Sequence, residues 1–329
     1  MVFIHRIIFS LLSRKKNMGF LERKKVIEAE DLVILYVNFT SIYAVYVREK
    51  VLSRKGVEVE NIYQTKYGSL KAMDLVGVKY GSKVQLSKGY GYALHPTPEL
   101  WTKCLPHRTQ ILYSTDISMV CLQLELRPGS VVVESGTGSG SLSHALLRTV
   151  APSGQLHTFD FHAERSEKAR AEFACHGLSD LVTASHRDVC TDGFGLENKA
   201  DAVFLDLPHP WQVISHAKTA MKTSGGRLCS FSPCIEQVQK TCLELKALGF
   251  TELSTMEVLN REFQVRKITL PVFDESLDLL SASRKRKLED GEAEVEVEMK
   301  ESKFVTGVPL TTMAGHTGYL TFATLPPLL

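Results

Sequence analysis

Val131-Val132-Val133-Glu134-Ser135-Gly136-Thr137-Gly138-Ser139-Gly140-Ser141 is the stretch from which the rest of the chain is read. Three β-branched residues favour a strand buried on both faces. The acidic residue and the glycines end it. Glycine lets the backbone turn sharply and brings its N–H groups close to a ligand with no Cβ in the way. Leu142 to Leu147 then reads as a helix, whose N-terminus adds donors and a partial positive charge. Strand, tight turn and helix make the first unit of a doubly wound α/β sheet. A glycine-rich turn without a ligand is the plainer alternative, and three evenly spaced glycines make it the poorer one.

A dinucleotide fingerprint needs glycines in the order G-x-G-x-x-G/A. Gly136 and Gly138 fit, but Ser141 holds the third position and Gly140 comes early. Glu134 stands two places before the first glycine. This E-x-G-x-G-x-G pattern resembles motif I of class I S-adenosylmethionine methyltransferases. That resemblance implies a Rossmann-like sheet whose turn approaches an amino-acid moiety and a ribose, where a dinucleotide site would cradle a pyrophosphate.

Downstream, strands and helices alternate as a parallel sheet requires. Leu156 to Asp160 reads as the second strand, and Asp160 lies where an acidic side chain can take two ribose hydroxyls. A helix is expected from Ala163 to His176, with Arg165 near its start. Leu181 to Ser185 is the third strand, followed by Arg187-Asp188-Val189. Asp188 has two readings of equal weight, a contact to an adenine amino group or a loop cap. Ala202 to Asp206 is the fourth strand, and its end meets Leu207-Pro208-His209-Pro210-Trp211. A carboxylate at a strand's carboxyl end beside the glycine loop makes Asp206 the catalytic candidate; a helix cap is the bland alternative. Gly225 to Cys234 gives the fifth strand with its loop, and Ile235 to Leu248 an amphipathic helix. Glu252 to Val258 is expected to pair with Val265 to Pro271. Gly315 to Ala323 is expected to close the sheet as its last, antiparallel strand.

Upstream, residues 20–95 read as a small β-rich domain. Asp31 to Val37 and Tyr43 to Val47 are strand-like and joined by a hairpin-like link, followed by Gln64 to Leu70 and Ser82 to Leu86. A proline-stiffened connector, His95-Pro96-Thr97-Pro98-Glu99-Leu100-Trp101, leads to a helix expected from about His107 to Leu124. It carries Gln110, Leu112 and Tyr113. Residues 96–273 are expected to form the methyltransferase domain. Residues 274–303 carry Arg284-Lys285-Arg286-Lys287 and then an acidic run, a composition that cannot bury a core and reads as a disordered insertion. Residues 304–329 hold the final strand.

The 329 residues fit about two domains, and 44% hydrophobic with 23% charged residues is ordinary globular composition. A net charge of +2 gives no global basic signal for a polyanion. Seven cysteines without a C-x-x-C pair leave no zinc pattern and read as reduced thiols; no metal is expected. Residues 1–19 are apolar and basic but too short to span a bilayer, so no membrane is expected. They fit either a mitochondrial presequence or sequence upstream of a second start at Met18. The basic four fit a nuclear import signal, with a solvated charge block as the commoner explanation; the nucleus is the expected location.

Taken in order, the connector, Pro106 to Asp116, Glu134 to Ser141, Asp206-x-Pro208-x-Pro210-Trp211, Ser230 to Cys234 and His316 to Leu320 resemble the catalytic subunits of eukaryotic tRNA (adenine-58-N1)-methyltransferases. The resemblance covers roughly Phe20 to Ala323 without the charged insertion. It implies S-adenosyl-L-methionine as cofactor, tRNA as substrate, and a non-catalytic homologous partner subunit in a heterotetramer of two copies each. By position it puts Leu112, Glu134, Gly136, Gly138, Ser139, Gly140, Ser141, Asp160, Arg165, Asp188, Val189 and Asp206 at the cofactor. Gln110, Tyr113, Ser230, Phe231, Ser232, Pro233, Thr317 and Tyr319 fall to the substrate side, with Asp206 and Tyr113 catalytic. Asp160 departs from the Glu of some relatives, and residues 1–19 have no counterpart. Three rivals differ in class: a non-catalytic subunit with a degenerate site, a methyltransferase for another substrate such as protein isoaspartate, and an RNA-binding module with a relic sheet.

Overall fold

The computed structural model describes residues 20–21, 23–53, 56–271, 301–313 and 315–327. The expected extension over residues 1–19 and nearly all of the charged insertion lie outside the described residues. The chain forms two compact units, one running to Val258 and resuming at Thr317, the other spanning Leu259–His316.

The first unit opens with β1 (Leu32–Asn38) and β2 (Ser41–Tyr46), then two short ribbons, β3 (Lys50–Leu52) with β4 (Glu58–Glu60) and β5 (Ile62–Thr65) with β6 (Gly68–Lys71). With β7 (Lys83–Gln85) and β8 (Tyr90–Leu94) the first pair makes a four-stranded antiparallel sheet in the order β2-β1-β8-β7. Alternate residues Val33, Leu35, Val45 and Ala93 face one core. Leu32 on the other face packs in a cluster with Trp101, Leu105 and Ile111 of the connector.

Trp101 lies in α1 (Pro98–Cys104), where proline occupies the first turn and the Thr97 hydroxyl accepts the Leu100 amide at 3.3 Å. The next helix, α2, covers only Ser114–Gln123. It begins seven residues later than the expected His107; the Arg108 and Thr109 amides donate to Ser139 Oγ, at 2.8 and 3.1 Å, and this holds the segment against the glycine loop.

The large sheet takes β9 (Val131–Ser135), β10 (Gln155–Asp160), β11 (Val182–His186), β12 (Ala202–Asp206), β13 (Gly226–Ser232), β14 (Thr251–Met256) and β17 (Tyr319–Leu325) in the order β11-β10-β9-β12-β13-β17-β14. The first five are parallel; β17 runs antiparallel to both neighbours. The connecting helices are α3 (Ser141–Val150), α4 (Ala163–Cys175), α5 (Val189–Asp192), α6 (Ile214–Ala220) and α7 (Ile235–Ala247). Successive residues of β9 serve opposite cores, Val132 with α3 and α4, Val133 with α6, which is why the valine run has no polar member.

Two pairings differ from expectation. β14 does not pair with Val265 to Pro271 but with β17, and β17 is not the edge of the sheet but lies between β13 and β14. Leu320, Phe322, Ala323 and Leu325 supply apolar side chains to both faces, which suits an interior strand; β14 has two exposed residues for every half-buried one and suits the edge. In the second unit β15 (Phe263–Pro271) pairs along its length with β16 (Glu301–Pro309). Glu301 to Lys303, assigned to the insertion, are therefore strand.

Candidate active site

The order of the sheet reverses between β9 and β12, and the carboxyl ends of these strands leave a crevice there. Gly136 turns out of β9 at φ +99°, and a Cβ on it would lie 2.4 Å from the Asp206 carbonyl oxygen at the end of β12. Only glycine lets the two strand ends come that close. The Gly136 amide donates to Phe159 O at 2.9 Å, and the Gly138 amide to Asp160 Oδ2 at 3.0 Å, so the loop is anchored to the end of β10.

An open cleft of about 420 Å³ follows these strand ends, a size suited to a small molecule. Gly136, Asp160, Arg165, Asp188, Val189 and Asp206 all line it. Asp160 is buried; its second oxygen accepts the His162 amide at 2.8 Å and lies 4.0 Å from Arg165 Nη1. Each carboxylate oxygen has a further lone pair, so a vicinal diol can still be accepted. Asp206 differs. Its carboxylate has no hydrogen bond or ion pair among the described residues, and burial alone pushes its pKa up to about 6. A half-buried, unpaired carboxylate lining a cleft is suited to a donor or a positive charge.

Residues 89–325 match the family model described as tRNA methyltransferase complex GCD14 subunit. The chain is 42% identical to the tRNA (adenine(58)-N(1))-methyltransferase catalytic subunit of Dictyostelium discoideum, over 93% of this chain and 99% of that one. It is 44% identical to the subunit of the same name from Candida albicans, over 76% and 73%. The chain belongs to the GCD14 family. Among solved structures, a SAM-dependent O-methyltransferase from Thermotoga maritima superposes with a TM-score of 0.68 at 25% identity, over 92% of this chain and 95% of that one. The tRNA (m1A58) methyltransferase TrmI from Aquifex aeolicus does so with a TM-score of 0.64 at 21% identity, over 91% and 98%. The Rossmann-like class I methyltransferase fold expected from motif I is the fold observed.

Within this GCD14 chain the expected residues do different work. Ser139 and Ser141 turn their hydroxyls away from the cleft: Ser139 takes the Arg108 and Thr109 amides, and Ser141 donates to Leu112 O at 2.9 Å while lying 2.9 Å from Thr102 Oγ1. Together with Leu112, itself buried in the core, they pin the connector to the glycine loop. Asp188 caps the short helix that follows, with Oδ1 on the Cys190 amide at 3.0 Å and Oδ2 on the Thr191 hydroxyl at 2.9 Å, and it also lines the cleft. Glu134 sits beneath the loop, fully buried, accepting the Ser143 hydroxyl at 2.6 Å, and burial raises its pKa to about 7.

On the substrate side, Gln110 and Tyr113 are exposed where the connector enters α2, outside the cleft lining. Ser230 and Ser232 are fully buried within β13; β17 pairs alongside, with Thr321 opposite Ser230 and Tyr319 opposite Ser232. Phe231, on the alternate face, is half-buried and shares the register of Asp206. Its ring fills the space above Gly318, where a Cβ would meet it at 2.3 Å. Pro233 and Thr317 are exposed at the same end. Among the lining residues not assigned to the site from the sequence are Phe161, Arg187, His209 and Gln212. Three of them stand one to three residues past the strand ends at Asp160, His186 and Asp206, which is the signal that could have found them.

Proposed function

We infer that this chain is the catalytic subunit of a tRNA (adenine-58-N1)-methyltransferase that uses S-adenosyl-L-methionine. The observation that carries the reading is Asp206, an unpaired, desolvated carboxylate in one cleft with Gly136 and Asp160. The residues fit the cofactor. Asp160 has acceptor capacity left for its ribose, Val189 and Phe161 offer apolar surface for its adenine, and the bare backbone at Gly136 leaves room next to Asp206. When bound, the cofactor supplies a methyl group on a cationic sulfur.

Adenine N1 carries no proton at neutral pH, so the chain needs no base to remove one. Its tasks are placement and charge. Holding N1 in line with the methyl group is worth effective molarities of about 10⁵ M or more. Asp206 accepts a hydrogen bond from the N6 amino group and offsets the positive charge that N1 gains as it is methylated. The base must leave pairing and stacking for N1 to be reached, and exposed Tyr113 is a stacking partner on the way in. Methyl transfer from labelled cofactor to tRNA with adenine 58, and none to the same tRNA with guanine there, is the expected result; equal labelling of both discards the target.

The family's subunits belong to a complex. We propose two copies of this chain with two of a non-catalytic homologue, supported by the low charge: +2 gives little field to hold a polyanion. A mass of the purified assembly other than that of a heterotetramer would contradict this. Arg284 to Lys287 support nuclear residence, expected to be lost when all four are replaced by alanine in a fluorescent fusion.

A further inference from the structure

A line of buried hydrogen bonds leaves the glycine loop on the side away from the cleft. His144 Nδ1 lies 2.6 Å from Gly140 O; His144 Nε2 lies 2.8 Å from His176 Nδ1; His176 Nε2 lies 3.0 Å from the Tyr46 hydroxyl at the end of β2. The direction of each bond follows. A carbonyl only accepts, so His144 Nδ1 carries the proton. Burial lowers both imidazoles, His144 to about 4 and His176 well below its ordinary value, and the nearby Arg108 cation pushes both the same way. Each ring is therefore neutral with a single N–H. His144 Nε2 accepts from His176 Nδ1–H, and His176 Nε2 accepts from Tyr46 O–H. Phe20 and Trp101 pack against both rings, at centroid distances of 4.9 and 5.6 Å from His144 and 4.8 Å each from His176. The two imidazoles are buried, and only the Tyr46 end of the line is partly exposed.

The receiving end is the hinge of the loop. Gly140 is left-handed, at φ +76°, and stands where the loop becomes α3. Its carbonyl shares a planar peptide with the Ser141 N–H, and the two point in opposite directions. Gripping the carbonyl therefore aims a free donor at the start of α3. None of the three side chains lines the cleft.

We propose that Tyr46, His176 and His144 are a positioning chain through which the N-terminal β sheet sets the glycine loop, so that affinity for S-adenosyl-L-methionine depends on a hydroxyl in another sheet. The inference rests on the cofactor reading above. Tyr46→Phe removes that hydroxyl and keeps the ring. In the full-length protein with its partner subunit, calorimetric titration is expected to show the Kd for S-adenosyl-L-methionine rising roughly three- to tenfold, the scale of one buried hydrogen bond. Turnover at saturating cofactor stays within twofold. Arg227→Met cuts hydrogen bonds to Thr324 at 2.7 Å and Glu252 at 3.2 Å, at the end of β13 opposite the cleft, and is expected to lower the Tm without moving the Kd. In the wild type, the imidazole ¹⁵N signals of His144 and His176 are expected to shift on cofactor binding. A Tyr46→Phe Kd within twofold of wild type, an equal rise in Arg227→Met, or unmoved ¹⁵N signals would each overturn the proposal. A wild type that binds no S-adenosyl-L-methionine would overturn the cofactor reading, and this inference with it.

Discussion

Asp206 and Glu134 are both raised by burial, yet they lead to different measurements. Asp206 must be ionised to accept from the adenine amino group. With its pKa at about 6, kcat/KM is expected to fall as pH drops below that value and to level off above it. Asp206→Asn is expected to lower kcat by about 100-fold or more and to abolish this limb, with cofactor affinity retained. Wild-type turnover in that variant would remove Asp206 from the chemistry. Glu134 lies under the loop and bears on stability. Its pKa rises from 4.5 to about 7 on folding, so between these values the folded chain holds more protons than the unfolded one, and stability falls as pH rises through about 7. Glu134→Gln lacks this slope. From pH 5 to pH 8 its stability relative to wild type is expected to improve by up to about 3 kcal/mol, read from urea midpoints.

The connector between Leu105 and Tyr113 is the element least legible in the sequence. Its apolar spacing reads as helix from His107, but Ser139 accepts the Arg108 and Thr109 amides and holds the segment against the glycine loop. That contact joins residues about 30 apart, and no local pattern announces it. Ser139→Ala is expected to cost about 1–3 kcal/mol for the amides left unpaired and to raise the KM for tRNA more than that for the cofactor, since Gln110 and Tyr113 lose their support. A larger effect on the cofactor would argue that Ser139 belongs to its site. Serines misled twice more. Ser230 and Ser232 read as part of the loop after the fifth strand, but β13 continues through Ser232, paired edge to edge with β17 from far along the chain. By contrast Val131 to Gly136, Asp160 and Asp206 were legible, because strand ends and turns are set by near neighbours.

At the scale of the molecule, composition speaks mainly by exclusion, offering no zinc pattern and no apolar stretch long enough to span a bilayer. The order of the sheet could not be read from the alternation of elements, since periodicity says that a strand exists and not which neighbours it takes. Function at this scale is expected to depend on the partner. The isolated chain is expected to methylate tRNA far more slowly than the complex at one salt concentration, with a shallower salt dependence of binding, since fewer counterions are released. Equal rates and slopes would locate the whole tRNA surface on this subunit.

Strand β17 lies between β13 and β14, and β16 pairs along β15. Both are reached only after the stretch that separates Pro271 from Glu301. The chain can therefore be severed in that stretch without being taken apart. A protease that nicks it would leave two fragments, the smaller woven into the larger by two strands at separate places. They are expected to elute together from a sizing column, to part only in denaturant, and to keep their methyltransferase activity until then.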